Sequence, residues 1–96
     1  MAFDTTLYRL DGKVALITGA ARGLGAKMAQ VYADAGATVF VTDVMNDLGE
    51  KTVSEISKSG AKAHFIHQDV TVERDWEKAM EATVALAGRL DILVNN

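Results

Sequence analysis

The chain of 96 residues carries 10 Lys+Arg against 13 Asp+Glu, a formal net charge of −3, and 49% of its residues are apolar. That length accommodates one domain, and the composition excludes intrinsic disorder. The acidic excess gives no basic footprint for a nucleic acid, no apolar run approaches the roughly 20 residues of a membrane span, and the chain has no cysteine, so it reads as a soluble cytoplasmic protein that binds neither nucleic acid nor membrane.

Residues 1–12 read as an N-terminal arm. Lys13, Val14, Ala15, Leu16, Ile17 and Thr18 form an unbroken aliphatic and β-branched run, the signature of a strand buried on both faces, β1 (13–18). Between Gly23 and Ala35, the residues Leu24, Met28, Val31, Tyr32 and Ala35 share one helical face and predict α1, stopped before Gly36. A second strand, β2 (37–42), has Asp43 at its carboxyl end. Asp47 with Glu50 three residues on is a capping-box pattern that starts α2, a helix burying Leu48, Thr52 and Ile56 and ending near Gly60. After β3 (63–68), Thr71 caps α3, in which Val72, Trp76, Met80, Thr83 and Ala87 share a face and Gly88 supplies the stop. The last strand, β4, covers 90–94.

Strands alternating with helices at this spacing predict an α/β fold, part of a three-layer Rossmann-type parallel sheet. Right-handed crossovers, with α1 and α2 on one face and α3 on the other, give the strand order 3-2-1-4 and a switch point between β1 and β4. The whole chain, 1–96, is then half of a doubly wound domain.

The informative stretch is Thr18-Gly19-Ala20-Ala21-Arg22-Gly23-Leu24-Gly25, which leaves β1 and opens α1. Gly19 permits a tight turn, Gly23 lets the backbone approach a pyrophosphate, and Gly25 lets the helix pack on the sheet. The free N–H groups at the start of the helix attract phosphate. An acidic residue ending the next strand completes the context that a dinucleotide fingerprint demands.

These residues resemble the TGxxxGxG motif of the short-chain dehydrogenase/reductase family, and Leu93-Val94-Asn95-Asn96 resembles the start of that family's NNAG motif. The resemblance runs through the chain. It places Asp69 against the adenine amino group, with Val70 beside it, and passes the Asn95 turn under the adenine ribose. It places Asp43 on the ribose hydroxyls of NAD, where a carboxylate accepts from the diol and repels the 2′-phosphate of NADP. Arg22, before the second glycine, pulls the other way, because NADP-preferring relatives often carry a basic residue there. The family's catalytic Asn, Ser and Tyr-xxx-Lys pair all follow NNAG. The resemblance therefore implies the NAD-binding portion of an enzyme that moves hydride between NAD(H) and a small-molecule alcohol or ketone, with no catalytic residue in these 96 positions and no turnover by them alone.

Thr18 is expected to tie β1 to the end of β4. His64 and His67 lie three apart in a strand, point to opposite faces and cannot share a metal. Glu73, Glu77 and Glu81, beside Arg74 and Lys78, read as a solvated helix face, and Trp76 and Met80 as core. Neither Tyr8 nor Tyr32 has a Lys four residues later. Two other readings stay open: a non-catalytic nucleotide-binding module, and a methyltransferase-like domain, against which the glycine spacing and the Leu93–Asn96 end argue. An apolar β4 lacking Pro or Lys at its edge implies self-association into a homo-oligomer.

Overall fold

The computed structural model describes residues 9–96. The first eight residues of the expected N-terminal arm, Tyr8 among them, lie outside the described residues. The chain then runs through seven elements in the expected alternation: β1 Val14–Thr18, α1 Gly23–Asp34, β2 Thr38–Asp43, α2 Asn46–Ser57, β3 Ala63–His67, α3 Glu73–Ala87 and β4 Ile92–Val94. The four strands form one parallel sheet in the order β3-β2-β1-β4. This is the expected three-layer arrangement, a partial Rossmann fold.

The sheet separates two apolar layers. Ala15, Ile17, Val39 and Val41 face Ala29 and Ala33 of α1 and Ile56 of α2, whereas Val14, Leu16 and Phe40 face Ala79 of α3. Every residue of β1 is buried, as a strand covered by helices on both faces requires. The polar Thr18 has a structural use there. Its hydroxyl faces the Val94 carbonyl at 3.4 Å and Asn95 Oδ1 at 3.3 Å, and accepts from the Asn96 N–H at 3.0 Å.

The helix faces agree with the expected ones at Ile56 and Thr83 and differ at most other positions. In α1 the buried positions are Gly25, Ala29 and Ala33, four apart, while Met28 and Tyr32 flank them and Leu24 and Val31 stay exposed. Small residues bring the helix axis close to the sheet, and the larger apolar ones then fall to the side. In α2 the buried pair is Gly49 and Ile56, with Leu48 and Thr52 half-buried. In α3 it is Ala79 and Thr83, with Trp76 and Met80 half-buried and Val72 exposed.

Neither expected cap forms. The N-cap positions are Met45 and Val72, without side-chain caps. Asp43 Oδ1 accepts the Met45 N–H at 3.1 Å, and the chain enters α2 two residues earlier than the capping box implies, which leaves Asp47 in the first turn. There its charge meets the positive helix end. The Thr71 hydroxyl donates to Asp69 Oδ1 at 2.6 Å, which turns the side chain toward the end of β3, and α3 starts one residue later, with Val72 at the N-cap. Gly88, at φ 80°, ends α3 in the left-handed conformation as expected.

Candidate functional site

In an open parallel sheet, ligands bind outside the carboxyl ends of the strands, beside the switch point. Here one of the two strands flanking that point, β1, runs into Gly19 and the loop that opens α1. A separate groove of about 460 Å³ lies at the opposite end of the sheet, among Arg9, Gly36, Thr38 and Lys62, away from this loop.

The loop is fixed from three directions. The Ala20 N–H donates to the Thr42 carbonyl at 3.1 Å, the Ala21 N–H donates to Asp43 Oδ2 at 3.1 Å, and the Thr52 hydroxyl donates to the Ala21 carbonyl at 2.6 Å. Ala20 and Ala21 are buried under these contacts. Beyond Ala21 the loop is open. Arg22 is the N-cap of α1 with no side-chain cap bond, and the first helical turn carries no acidic residue. The first N–H groups of a helix have no intrahelical acceptors, so this end presents bare donors and the positive end of the helix dipole. Gly23 adopts φ 63°, and a Cβ built there would meet nothing within 4 Å. A Cβ at Gly25 would instead collide with the Gly19 carbonyl oxygen and the Ala20 backbone. The two glycines therefore differ: Gly23 borders open space, whereas Gly25 lets the helix touch the turn. Arg22 and Leu24 are both exposed beside this donor set, and Arg22 makes no ion pair among the described residues.

Asp43 stands next to the loop at the end of β2, with one oxygen on Ala21 and the other on Met45. Its two oxygens keep further lone pairs. Asp69 lies beyond it, past the end of β3. Its Oδ1 accepts from both the Thr71 N–H at 2.9 Å and the Thr71 hydroxyl, and its own N–H donates to Asp75 Oδ2 at 2.9 Å. Thr71, by its hydroxyl first and its amide second, holds the Asp69 carboxyl below the ordinary carboxylate range, with His67 acting in the same direction. Oδ2 of Asp69 takes no bond among the described residues. Val70 is exposed next to it, its carbonyl accepting from Trp76 Nε1 at 2.8 Å. On the other side of β1, Asn95 touches Thr18 and the Asn96 side-chain amide donates to the Gly19 carbonyl at 3.2 Å.

The residues Gly19, Arg22, Gly23, Leu24, Gly25, Asp43, Asp69, Val70 and Asn95 therefore line one edge of the sheet. Three contacts there go beyond the expectations from sequence: Thr52 on Ala21, Asn96 on Gly19, and His67 Nδ1 at 2.7 Å from Asn46 Oδ1. Thr52 has a faint sign in the sequence, a hydroxyl in the predicted inward face of α2. His64 lies on the other face of the sheet, stacked on Phe40 with ring centroids 4.9 Å apart, so the two histidines are indeed separated. Among the described residues no group of three or more His, Asp or Glu could hold a metal ion, and no helix is long and apolar enough to cross a membrane.

Residues 13–96 match the family described as short chain dehydrogenase. Cyclopentanol dehydrogenase of Comamonas sp. is 46% identical over 88 residues, covering 92% of this chain and 35% of that protein. The 7alpha-hydroxysteroid dehydrogenase of Escherichia coli is 39% identical over 94 residues, covering 98% of this chain and 37% of that protein. A solved structure of 7alpha-hydroxysteroid dehydrogenase complexed with NADH and 7-oxo glycochenodeoxycholic acid superposes with a TM-score of 0.93 at 39% identity, covering 99% of this chain and 37% of that one. The chain thus spans about a third of the length of the curated relatives it matches.

Proposed function

Because the chain belongs to the short chain dehydrogenase family, we propose that it forms the adenosine- and pyrophosphate-binding part of an NAD-dependent oxidoreductase that interconverts a small-molecule alcohol and its ketone. The observation that carries this reading is the uncapped start of α1 held beside Asp43 through the Ala21 N–H. The open side of Gly23 gives a cradle that a pyrophosphate fits, with the N–H groups of Arg22, Gly23, Leu24 and Gly25 as donors. Asp43 holds the ribose diol, the free oxygen of Asp69 accepts from the adenine amino group beside Val70, and Asn95 borders the ribose.

When bound, NAD supplies the hydride acceptor or donor. This chain's residues bind and orient the adenosine end. Proton transfer and substrate selection belong to other residues of the enzyme, and the 96 residues alone give no turnover. Asp43 supports NAD over NADP, since its charge opposes a 2′-phosphate; Arg22 offers the contrary attraction but is exposed and solvated. A cysteine-free sequence fits a cytoplasmic setting. Calorimetry with NAD, NADP and ADP-ribose tests the reading. Saturable binding of NAD and ADP-ribose with weaker binding of NADP is expected, and no binding of any of the three overturns it.

A further inference from the structure

Thr52 sits within α2, where a threonine hydroxyl ordinarily turns back onto the carbonyl four residues earlier. Thr83 in α3 does that, donating to the Ala79 carbonyl at 2.8 Å. Thr52 does not. Its hydroxyl crosses to the glycine loop and donates to the Ala21 carbonyl at 2.6 Å. The peptide group it grips joins Ala21 to Arg22, and in a planar trans peptide the carbonyl and the N–H point in opposite directions. A hydroxyl that pins the Ala21 carbonyl toward α2 therefore directs the Arg22 N–H away from α2. The preceding peptide is fixed independently, because its N–H, that of Ala21, is bonded to Asp43 Oδ2. Two successive peptide planes on either side of Ala21 are thus set by side chains from two other elements, immediately before the uncapped start of α1.

We infer that Thr52 is a positioning residue for the dinucleotide site: its hydroxyl orients the Ala21–Arg22 peptide so that the Arg22 N–H joins the donors at the start of α1 that meet the pyrophosphate. The inference rests on the reading of this edge as an NAD site. It assigns to α2, through this one hydroxyl, control over phosphate affinity without control over the choice of nucleotide.

The test uses the full chain with Thr52→Val, which keeps the side-chain shape, Thr52→Ala, which keeps a strong helix former, and Thr52→Ser, which keeps the hydroxyl. The probes are ADP-ribose, which has the pyrophosphate, and adenosine, which lacks phosphate, each titrated by calorimetry or NMR, with circular dichroism as the check on folding. Loss of one hydrogen bond that orders a donor is expected to weaken ADP-ribose by about three- to tenfold in Thr52→Val and Thr52→Ala. Adenosine should bind as in the unmutated protein, and Thr52→Ser should restore ADP-ribose. Unchanged ADP-ribose affinity in a folded Val or Ala variant overturns the inference, as does an equal loss for adenosine and ADP-ribose, which marks Thr52 as merely structural. Should the unmutated chain itself take no ADP-ribose, the NAD reading fails first, and that is visible before any variant is made.

Discussion

Asp43 has more to do than its place at the end of a strand suggests. Its carboxylate accepts from the Ala21 N–H and the Met45 N–H, so it shapes both the glycine loop and the approach to α2. Replacing it by Ser would remove both links at once and confuse loop geometry with specificity. Asp43→Asn is the cleaner variant, since the amide oxygen still accepts one of the two while the charge is gone. We expect the preference for NAD over NADP to fall by roughly tenfold or more, the scale of one charged hydrogen bond, in calorimetric titration; an unchanged ratio would remove Asp43 from the ribose. The glycines separate in the same way. Gly25→Ala drives a Cβ into the Gly19 carbonyl and should lower stability by about 1–3 kcal/mol, as overpacking does. Gly23→Ala meets open space and carries only the left-handed backbone penalty of about 1–2 kcal/mol, yet it should impair ADP-ribose binding in the protein that remains folded. Urea denaturation and titration of both variants distinguish these outcomes.

Among the elements, strands are the more legible in the sequence because one run of β-branched and aliphatic residues, Val14 to Thr18, answers to burial on both faces and to nothing else. Helix faces are less so. Hydrophobic periodicity weights Leu24 and Val31, but contact with the sheet is made by Gly25, Ala29 and Ala33, whose smallness is a packing property that periodicity does not score. Caps fail for a different reason. Asn46, Asp47 and Thr71 are suitable residue types, but His67 and Asp69, brought up by β3, compete for the Asn46 and Thr71 side chains. The site divides in the same way: the glycine loop is local and can be read, whereas the grip of Thr52 on Ala21 joins positions 31 residues apart and exists only once α2 has docked. One element boundary is also an acid-sensitive joint. Asp91, ahead of β4, accepts the Val14 N–H at 2.8 Å and pairs with Arg89. Arg89 first, and the Val14 amide second, hold its carboxyl below the ordinary range. A carboxyl lowered on folding contributes stability that is complete above its unfolded pKa of about 3.9 and is lost as pH falls through the folded value. Asp69 is lowered too and acts in the same sense. Urea midpoints followed downward from neutral pH should therefore drop below about pH 4, and the drop should be shallower in Asp91→Asn. An acid limb of equal depth in the variant would show that this joint does not contribute.

For the molecule as a whole, the sheet is protected unevenly. α3 packs on β3 and β2, so the face of β4 that it might have shared is left bare. Leu93, in register with the fully buried Leu16, is 48% exposed there, and Val84 and Leu86 of α3 are exposed as well. On the opposite face Ile92 and Val94 pack against the α1 and α2 layer, so β4 is anchored on one side and open on the other. Its outer edge has no strand beside it among the described residues, and Ile92-Leu93-Val94 contains neither Pro nor Lys to discourage another strand from pairing. Backbone donors and acceptors together with aliphatic surface at one edge are the combination that draws a second chain. The 96-residue chain should therefore self-associate through β4, with dimers or larger species growing as concentration rises in sedimentation velocity. Leu93→Lys places a charge at the center of the bare face and should shift the population toward monomer while leaving ADP-ribose binding intact, because Leu93 lies outside the glycine loop, in register with Leu16 of β1. A single monomeric species at high concentration in the unmutated chain, unfolding cooperatively, would show that this edge is stable without a partner.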